Sequence, residues 1–299
     1  MYDVVLFPSV YTWFPTPRTR SVVGVHDLIA DEHPDLTLPS RGARVRWRLK
    51  RSAAIRGATR VFTVSETSRA VVAASLGVEE STLAVVPEAP DPVFGPREPG
   101  EIAAEIGPLG LAPGEPYLLY AGGISPHKGL ETLLDAYAAL AGRREAPRLV
   151  LAGALEDEAY LSAVEDVRRQ IADSALTGRV LLPGHVPDET LACLYAGAVA
   201  FVSPSRSEGF GLPAVEAAVS RTAVLLSDIP AHRESMGDAA LYFPVGDAPA
   251  LEKTLARVIE DGALRSRLVE AAAGRVAGLT WSAAAEALRA VLEEAARAG

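Results

Sequence analysis

Short runs of β-branched and apolar residues alternate along the chain with longer Ala- and Leu-rich stretches of helical period. The runs predict strands at Asp3–Ser9, Ser21–Asp27, Arg60–Ser65, Leu83–Pro87, Tyr117–Gly122, Arg148–Gly153, Arg179–Pro183, Ala198–Ser203, Ala223–Asp228 and Ala240–Phe243. Several, such as Val22-Val23-Gly24-Val25 and Leu149-Val150-Leu151-Ala152, stay apolar at consecutive positions. That pattern suits a strand covered on both faces in a parallel sheet. Between strands, Leu133, Leu134, Tyr137 and Leu140 fall on one stripe of a helix over Glu131–Leu140. Regular strand–helix alternation implies right-handed βαβ units and a doubly wound α/β architecture.

A proline-rich stretch, Pro90–Pro113, separates four predicted strands from six. The length of 299 residues suits about two domains. They are expected over residues 1–95 and 96–281, with the final helix, 282–299, packing back on the first. Charge bears on partners: 29 basic against 38 acidic residues give a net charge of −9. That balance argues against a nucleic-acid binder held by bulk charge. The lone cysteine, Cys193, excludes an internal disulfide framework and reads as a small buried hydrophobe. The chain opens Met1-Tyr2-Asp3 with no basic segment before its first apolar run, and no apolar run approaches the ~20 residues needed to span a bilayer. A cytoplasmic protein is expected, with peripheral attachment to the inner face of a membrane left open.

Chemistry concentrates where predicted strands end. Ala198–Ser203 runs into Pro204-Ser205-Arg206-Ser207-Glu208-Gly209-Phe210-Gly211-Leu212-Pro213, and Pro213 opens a helix that carries Glu216. Gly209 and Gly211 let the backbone come close to a ligand, and the helix N-terminus presents free N–H groups suited to phosphate. Glu208 and Glu216 would repel phosphate, so they read as acceptors for sugar and ribose hydroxyls. The plain alternative is a helix start with acidic dipole partners. The strand Tyr117–Gly122 leads into Gly122-Gly123-Ile124-Ser125-Pro126-His127-Lys128-Gly129, where Lys128 suits a diphosphate. His127 is expected to face solvent.

Taken together, these segments resemble the retaining GT-B glycosyltransferases of family 4. The resemblance rests on the E-x7-E string from Glu208 to Glu216, the Gly-Gly-x4-Lys-Gly loop, Val202-Ser203-Pro204-Ser205, Ser227-Asp228-Ile229-Pro230 and Val86-Pro87-Glu88-Ala89-Pro90-Asp91. Bacterial mannosyl- and rhamnosyl-type enzymes of surface-polysaccharide assembly are the most similar branch. The resemblance implies two Rossmann-like domains facing a cleft, a nucleotide-diphosphate sugar as donor substrate, and a glycan or lipid-linked acceptor. In that frame Lys128 binds the diphosphate, Glu216 the ribose and Glu208 the transferred sugar. Gly122, Gly123, Gly209 and the backbone at Phe210, Gly211 and Leu212 meet sugar and phosphate. His185 and Val186 lie beside the nucleobase, and His26, in Val25-His26-Asp27-Leu28, reaches sugar and acceptor. His26, Lys128 and Glu208 are the catalytic candidates. No Asp-x-Asp pair occurs, so neither a metal nor a further cofactor is expected.

Two features depart from the family pattern. Gly123 stands where many relatives carry arginine. Family chains also place two or three further strand–helix units before the segment matching Asp3–Ser9, which implies an incomplete N-terminal domain here. A fragment, a homodimer pairing across that strand edge, or a second chain completing the sheet would each account for it. A donor-binding but inactive or partner-dependent subunit is therefore the main alternative to an active transferase. A glycosidase using Glu208 and Glu216 makes poor sense of Lys128. A nicotinamide-dependent oxidoreductase lacks the Gly-x-Gly-x-x-Gly turn.

Residues 41–60 carry Arg41, Arg44, Arg46, Arg48, Lys50, Arg51, Arg56 and Arg60 and no acid, with Val45, Leu49 and Ala53 spaced as a narrow apolar stripe. Peripheral contact with anionic lipid competes there with a solvated helix packed on the sheet. An exposed Trp47 would favour lipid and a buried one packing.

Overall fold

A computed structural model describes residues 3–16, 18–38, 40–142, 146–155, 161–172 and 176–298. It divides into two compact units: residues 1–89 with 208–210 and 278–299, and residues 90–207 with 211–277.

The first unit holds β1 (Val4–Phe7), β2 (Arg20–Gly24), α1 (Ile29–Glu32), α2 (Pro34–Thr37), α3 (Arg41–Gly57), β3 (Arg60–Thr63), α4 (Glu66–Leu76) and β4 (Leu83–Val85). The second holds α5 (Pro99–Ile106), β5 (Tyr117–Ala121), α6 (Leu130–Ala141), β6 (Arg148–Ala152), α7 (Leu161–Ala172), β7 (Val180–Gly184), α8 (Asp188–Gly197) and β8 (Ala200–Ser203). It continues through α9 (Leu212–Val219), β9 (Val224–Ser227), α10 (Pro230–Met236), β10 (Leu241–Phe243), α11 (Ala248–Glu260) and α12 (Gly262–Val276). The last helix, α13 (Trp281–Arg297), belongs to the first unit. Each of the ten predicted apolar runs forms a strand.

All strand pairs are parallel. In the first unit the order is β1-β2-β3-β4, so β1 lies at an edge of its sheet among the described residues. The adjacent residues Val22 and Val23 explain the unbroken apolar runs. Val23 joins a cluster with Trp47, Ala54 and Val72 on the side of α3 and α4, whereas Val22 meets Val291 and Ala295 of α13. Both faces are covered, so residues of both parities are mainly apolar, with Ser21 and Thr63 as buried exceptions.

Helix starts follow local chemistry. Ser40, Ser65 and Thr280 each accept a hydrogen bond from the third following amide, at the heads of α3, α4 and α13. Asp247 and Asp261 do the same for α11 and α12.

In the second unit the order is β10-β9-β8-β5-β6-β7. Leu118, Leu133, Leu134, Tyr137, Leu149 and Leu151 sit in its large apolar core. The chain builds outward from β5 to β7, then crosses back to lay β8 on the other flank of β5, with Leu119 opposite Phe201. That reversal opens a crevice at the carboxyl ends of β5 and β8, where open α/β sheets bind ligands.

Candidate active site

The loop after β5 and the loop after β8 flank this reversal and lie against each other. Gly129 has φ +66°, and a Cβ built there would stand 2.4 Å from the Pro204 carbonyl oxygen. Only glycine tolerates both the left-handed backbone and that approach. The amide of Arg206 donates to the His127 carbonyl at 2.8 Å, and the Arg206 side chain pairs with Glu131. Lys128, half-buried, occupies the single helical turn between these contacts. The loop after β6 joins the group, because a Cβ on Gly153 would lie 1.9 Å from the Gly122 carbonyl oxygen. His185 is exposed and Val186 buried in the loop after β7.

His127 departs from the sequence expectation. It is buried at 9% exposure, with its Nδ1 3.2 Å from the Ser125 hydroxyl. The tight turn folds the ring back toward a neighbouring hydroxyl, which gives it a polar partner out of water.

Gly211, at φ +83°, caps α9, and Pro213 sits in its first turn. The αL cap lets α9 start at Leu212, and the Ala214 amide donates to the Gly211 carbonyl at 3.0 Å. Glu216 is half-buried and accepts a hydrogen bond of 2.9 Å from the Tyr195 hydroxyl. Burial first, and then this carboxylate, push the Tyr195 phenol well above its ordinary pKa. One Glu216 oxygen is thus fixed by a donor that no sequence pattern near Glu216 announces.

A second feature without a local signature lies beneath Gly211. His232 of α10 is fully buried, and its Nδ1 donates to the Ser227 carbonyl at 2.9 Å. That tautomer leaves Nε2 to accept from the Ser203 hydroxyl at 3.4 Å. Ser203 also meets the Ser205 hydroxyl at 3.2 Å, and the Ser227 hydroxyl donates to the Ser205 carbonyl at 2.5 Å. This buried network ties the ends of β8 and β9 together. A Cβ on Gly211 would press on its imidazole at 3.2 Å.

In the first unit, the His26 ring lies between two acceptors. Its Nε2 is 2.9 Å from the Pro8 carbonyl oxygen, and its Nδ1 is 3.3 Å from a Glu88 carboxylate oxygen. The Glu88 hydrogen bond is the main reason the His26 pKa is raised above 6.5, with the Pro8 carbonyl adding to it and burial opposing. Glu208, Gly209 and Phe210 group with this unit. The Ser65 hydroxyl donates to the Gly209 carbonyl at 2.6 Å, while the Ser68 hydroxyl lies 2.8 Å from the His26 carbonyl and 3.0 Å from that of Gly209. Ser65 and Ser68 were not legible as site residues, because their partner lies far along the chain.

Residues 102–275 match the family described as Glycosyl transferases group 1, and the chain belongs to it. O-antigen chain mannosyltransferase B of Escherichia coli is 29% identical over 268 residues, which cover 88% of this chain and 68% of that protein. D-inositol 3-phosphate glycosyltransferase of Frankia alni is 34% identical over 62% of this chain, a stretch spanning only 47% of that relative. Among solved structures, sucrose-phosphate synthase from Thermosynechococcus elongatus superposes with a TM-score of 0.78 at 22% identity, covering 98% of this chain and 73% of the other. Anabaena Alr3699/HepE in complex with UDP and glucose gives 0.76 at 21% identity, covering 92% and 71%. The fold is the GT-B type, with two Rossmann-like parallel sheets, and the resemblance to family 4 mannosyl-type enzymes stands.

Proposed function

We propose that the protein transfers a hexose from a nucleoside-diphosphate sugar to a glycan or lipid-linked acceptor, with retention of configuration and without an obligatory metal. The observation that carries this reading is the meeting of the β5 and β8 loops at the strand reversal. One brings an ammonium group, Lys128; the other brings the N-terminal amides of α9.

Departure of the nucleoside diphosphate builds negative charge on its terminal phosphate. Lys128 and the amides of Gly211 and Leu212 stabilise that charge where it develops, without reorganising at the moment of reaction. The Tyr195 hydrogen bond fixes one Glu216 oxygen and so orients the carboxylate toward the ribose hydroxyls. Glu208 and the backbone at Gly209 and Phe210 hold the sugar, Gly122, Gly123 and Leu212 line the phosphate side, and His185 and Val186 flank the base. His26 serves sugar and acceptor, its ring orientation set by Glu88. Attack on the oxocarbenium-like sugar from the face the leaving group vacates preserves the anomeric configuration.

Incubation with a panel of nucleotide sugars and hexose acceptors, with the product's anomeric configuration read by proton NMR, tests the reading. A retained linkage supports it. An inverted product, or nucleotide-independent cleavage of glycosides, refutes it. The alternative, a donor-binding subunit that needs a partner for turnover, is distinguished by nucleotide binding without any product. Its motivation is that the matched stretches span only 47% and 44% of two curated relatives.

A further inference from the structure

The chain enters the second unit through Pro90-Asp91-Pro92-Val93-Phe94, ahead of α5. Its prolines restrict the stretch, and hydrogen bonds close it into a turn. The Asp91 carboxylate accepts from the Val93 amide at 2.9 Å, and the Asp91 carbonyl accepts from the Phe94 amide at 3.0 Å. Arg97 donates to the Val93 carbonyl at 2.5 Å and pairs with Glu101 of α5 at 3.3 Å. The Phe94 backbone is thus tied from both sides, and its half-buried ring has a set place.

That place is against Tyr195 of α8. The two ring centroids stand 5.7 Å apart with the planes at 85°, an edge-to-face pair. Phe201 of β8 meets the same tyrosine at 5.6 Å. Phe201 belongs to a strand paired on both sides, whereas Phe94 reaches the tyrosine from outside helix and strand alike. Tyr195 is fully buried, so these neighbours decide where its ring lies. The ring in turn carries the hydroxyl that donates to Glu216 at 2.9 Å. A hydrogen bond weakens steeply with distance and angle. A ring that tilts into the space vacated by Phe94 would carry its hydroxyl off the carboxylate.

We infer that Phe94 is a positioning residue for the donor: through Tyr195 it sets the Glu216 carboxylate toward the two hydroxyls of the donor's ribose. The inference rests on the assignment of Glu216 to the ribose in the sugar-transfer reading, and it adds the turn that holds this carboxylate in register. Phe94 has no group that could bind a hydroxyl, so it acts only through the tyrosine. A Phe94 that merely supported the fold would weaken every nucleotide alike. A positioning Phe94 affects only those that carry the two hydroxyls.

The full chain is titrated calorimetrically with uridine, cytidine, guanosine and adenosine diphosphates, and the nucleotide bound best is compared with its 2′,3′-dideoxy analogue. The wild type should prefer the ribonucleotide. Phe94→Ala should weaken the ribonucleotide about fivefold, the worth of one edge-to-face pair, and leave the affinity for the dideoxy analogue unchanged. Phe94→Leu keeps apolar volume without the ring; it carries the same expectation and serves if Phe94→Ala does not fold. Added to Tyr195→Phe, neither change should weaken the ribonucleotide further. An equal loss for both nucleotides, no loss for either, or a further loss on top of Tyr195→Phe overturns the inference and leaves the sugar-transfer reading intact. A wild-type chain that binds none of the diphosphates, or binds ribonucleotide and analogue equally, refutes the ribose assignment itself and the inference with it.

Discussion

In the first unit each strand is added beside the last, whereas in the second the chain returns to β5 after β7 and continues on its other side. Both sheets are parallel and covered on both faces, and both fold from the same kind of sequence. Only the second, among the described residues, reverses its strand order. There the chain leaves two adjacent strands, β5 and β8, for helices on opposite faces of the sheet, α6 packing with α7 and α11 and α9 with α8 and α10, and the two loops meet at the crevice between them. The contrast explains why the loop carrying Lys128 and the loop leading to α9 flank one reversal in the second unit, whereas the first unit holds the His26–Glu88 pair and the Ser65 and Ser68 contacts to Gly209.

The largest expected effect strikes the loop contact itself. Gly129→Ala places a Cβ in a left-handed backbone against the Pro204 carbonyl and should destabilise the protein by about 3 kcal/mol. Gly123→Ala, six positions earlier, has nothing within 4 Å of its Cβ and should melt like the wild type. Equal melting temperatures for the two variants would show that the loops do not meet as described.

Tyr195→Phe comes next. It removes a hydrogen bond to a charged group, worth about 1.5–3 kcal/mol, and releases Glu216. The KM for the donor should rise more than kcat falls; an unchanged KM would remove Tyr195 from the account.

In the first unit, Ser65→Ala deletes the α4 cap and the donor to Gly209, at a cost of about 1 kcal/mol from the cap alone. Amide exchange at 208–210 should accelerate as well. Exchange that stays slow would mean that Ser65 does not hold this segment.

The smallest effect is a pH dependence. The His26 pKa is raised in the folded state, so protonation favours folding. This contribution is full below 6.5 and is lost as pH rises through the higher folded value. Melting temperature should decline across that window, and Glu88→Gln should flatten the decline. An identical profile in the variant would dissociate the pair.

What the sequence disclosed follows from periodicity. The ten strands were legible because two covered faces leave both parities mainly apolar, and the β8 loop because glycine and proline at fixed offsets define a helix start. The Tyr195–Glu216 bond, the Ser203–Ser205–Ser227–His232 network and the Ser65–Gly209 contact were not. Each joins residues that only the tertiary fold brings together, and serine or histidine in such places looks like any loop residue. His127 misled for the same reason: a polar side chain reads as exposed until a hydroxyl partner is found for it. Trp47 is buried, its indole donating to Asp31 at 2.7 Å, which by the criterion set for it makes α3 a packed helix.

The central claim is that Lys128 and the amides at the head of α9 form one pyrophosphate cradle. Calorimetric titration of the full chain with a panel of nucleoside diphosphates, repeated on Lys128→Ala, tests it most directly. Removing one donor to developing or resident phosphate charge should weaken the preferred diphosphate by about a hundredfold while leaving the ligand-free melting temperature unchanged. Affinity equal to that of the wild type, or no diphosphate binding by either protein, would contradict the account.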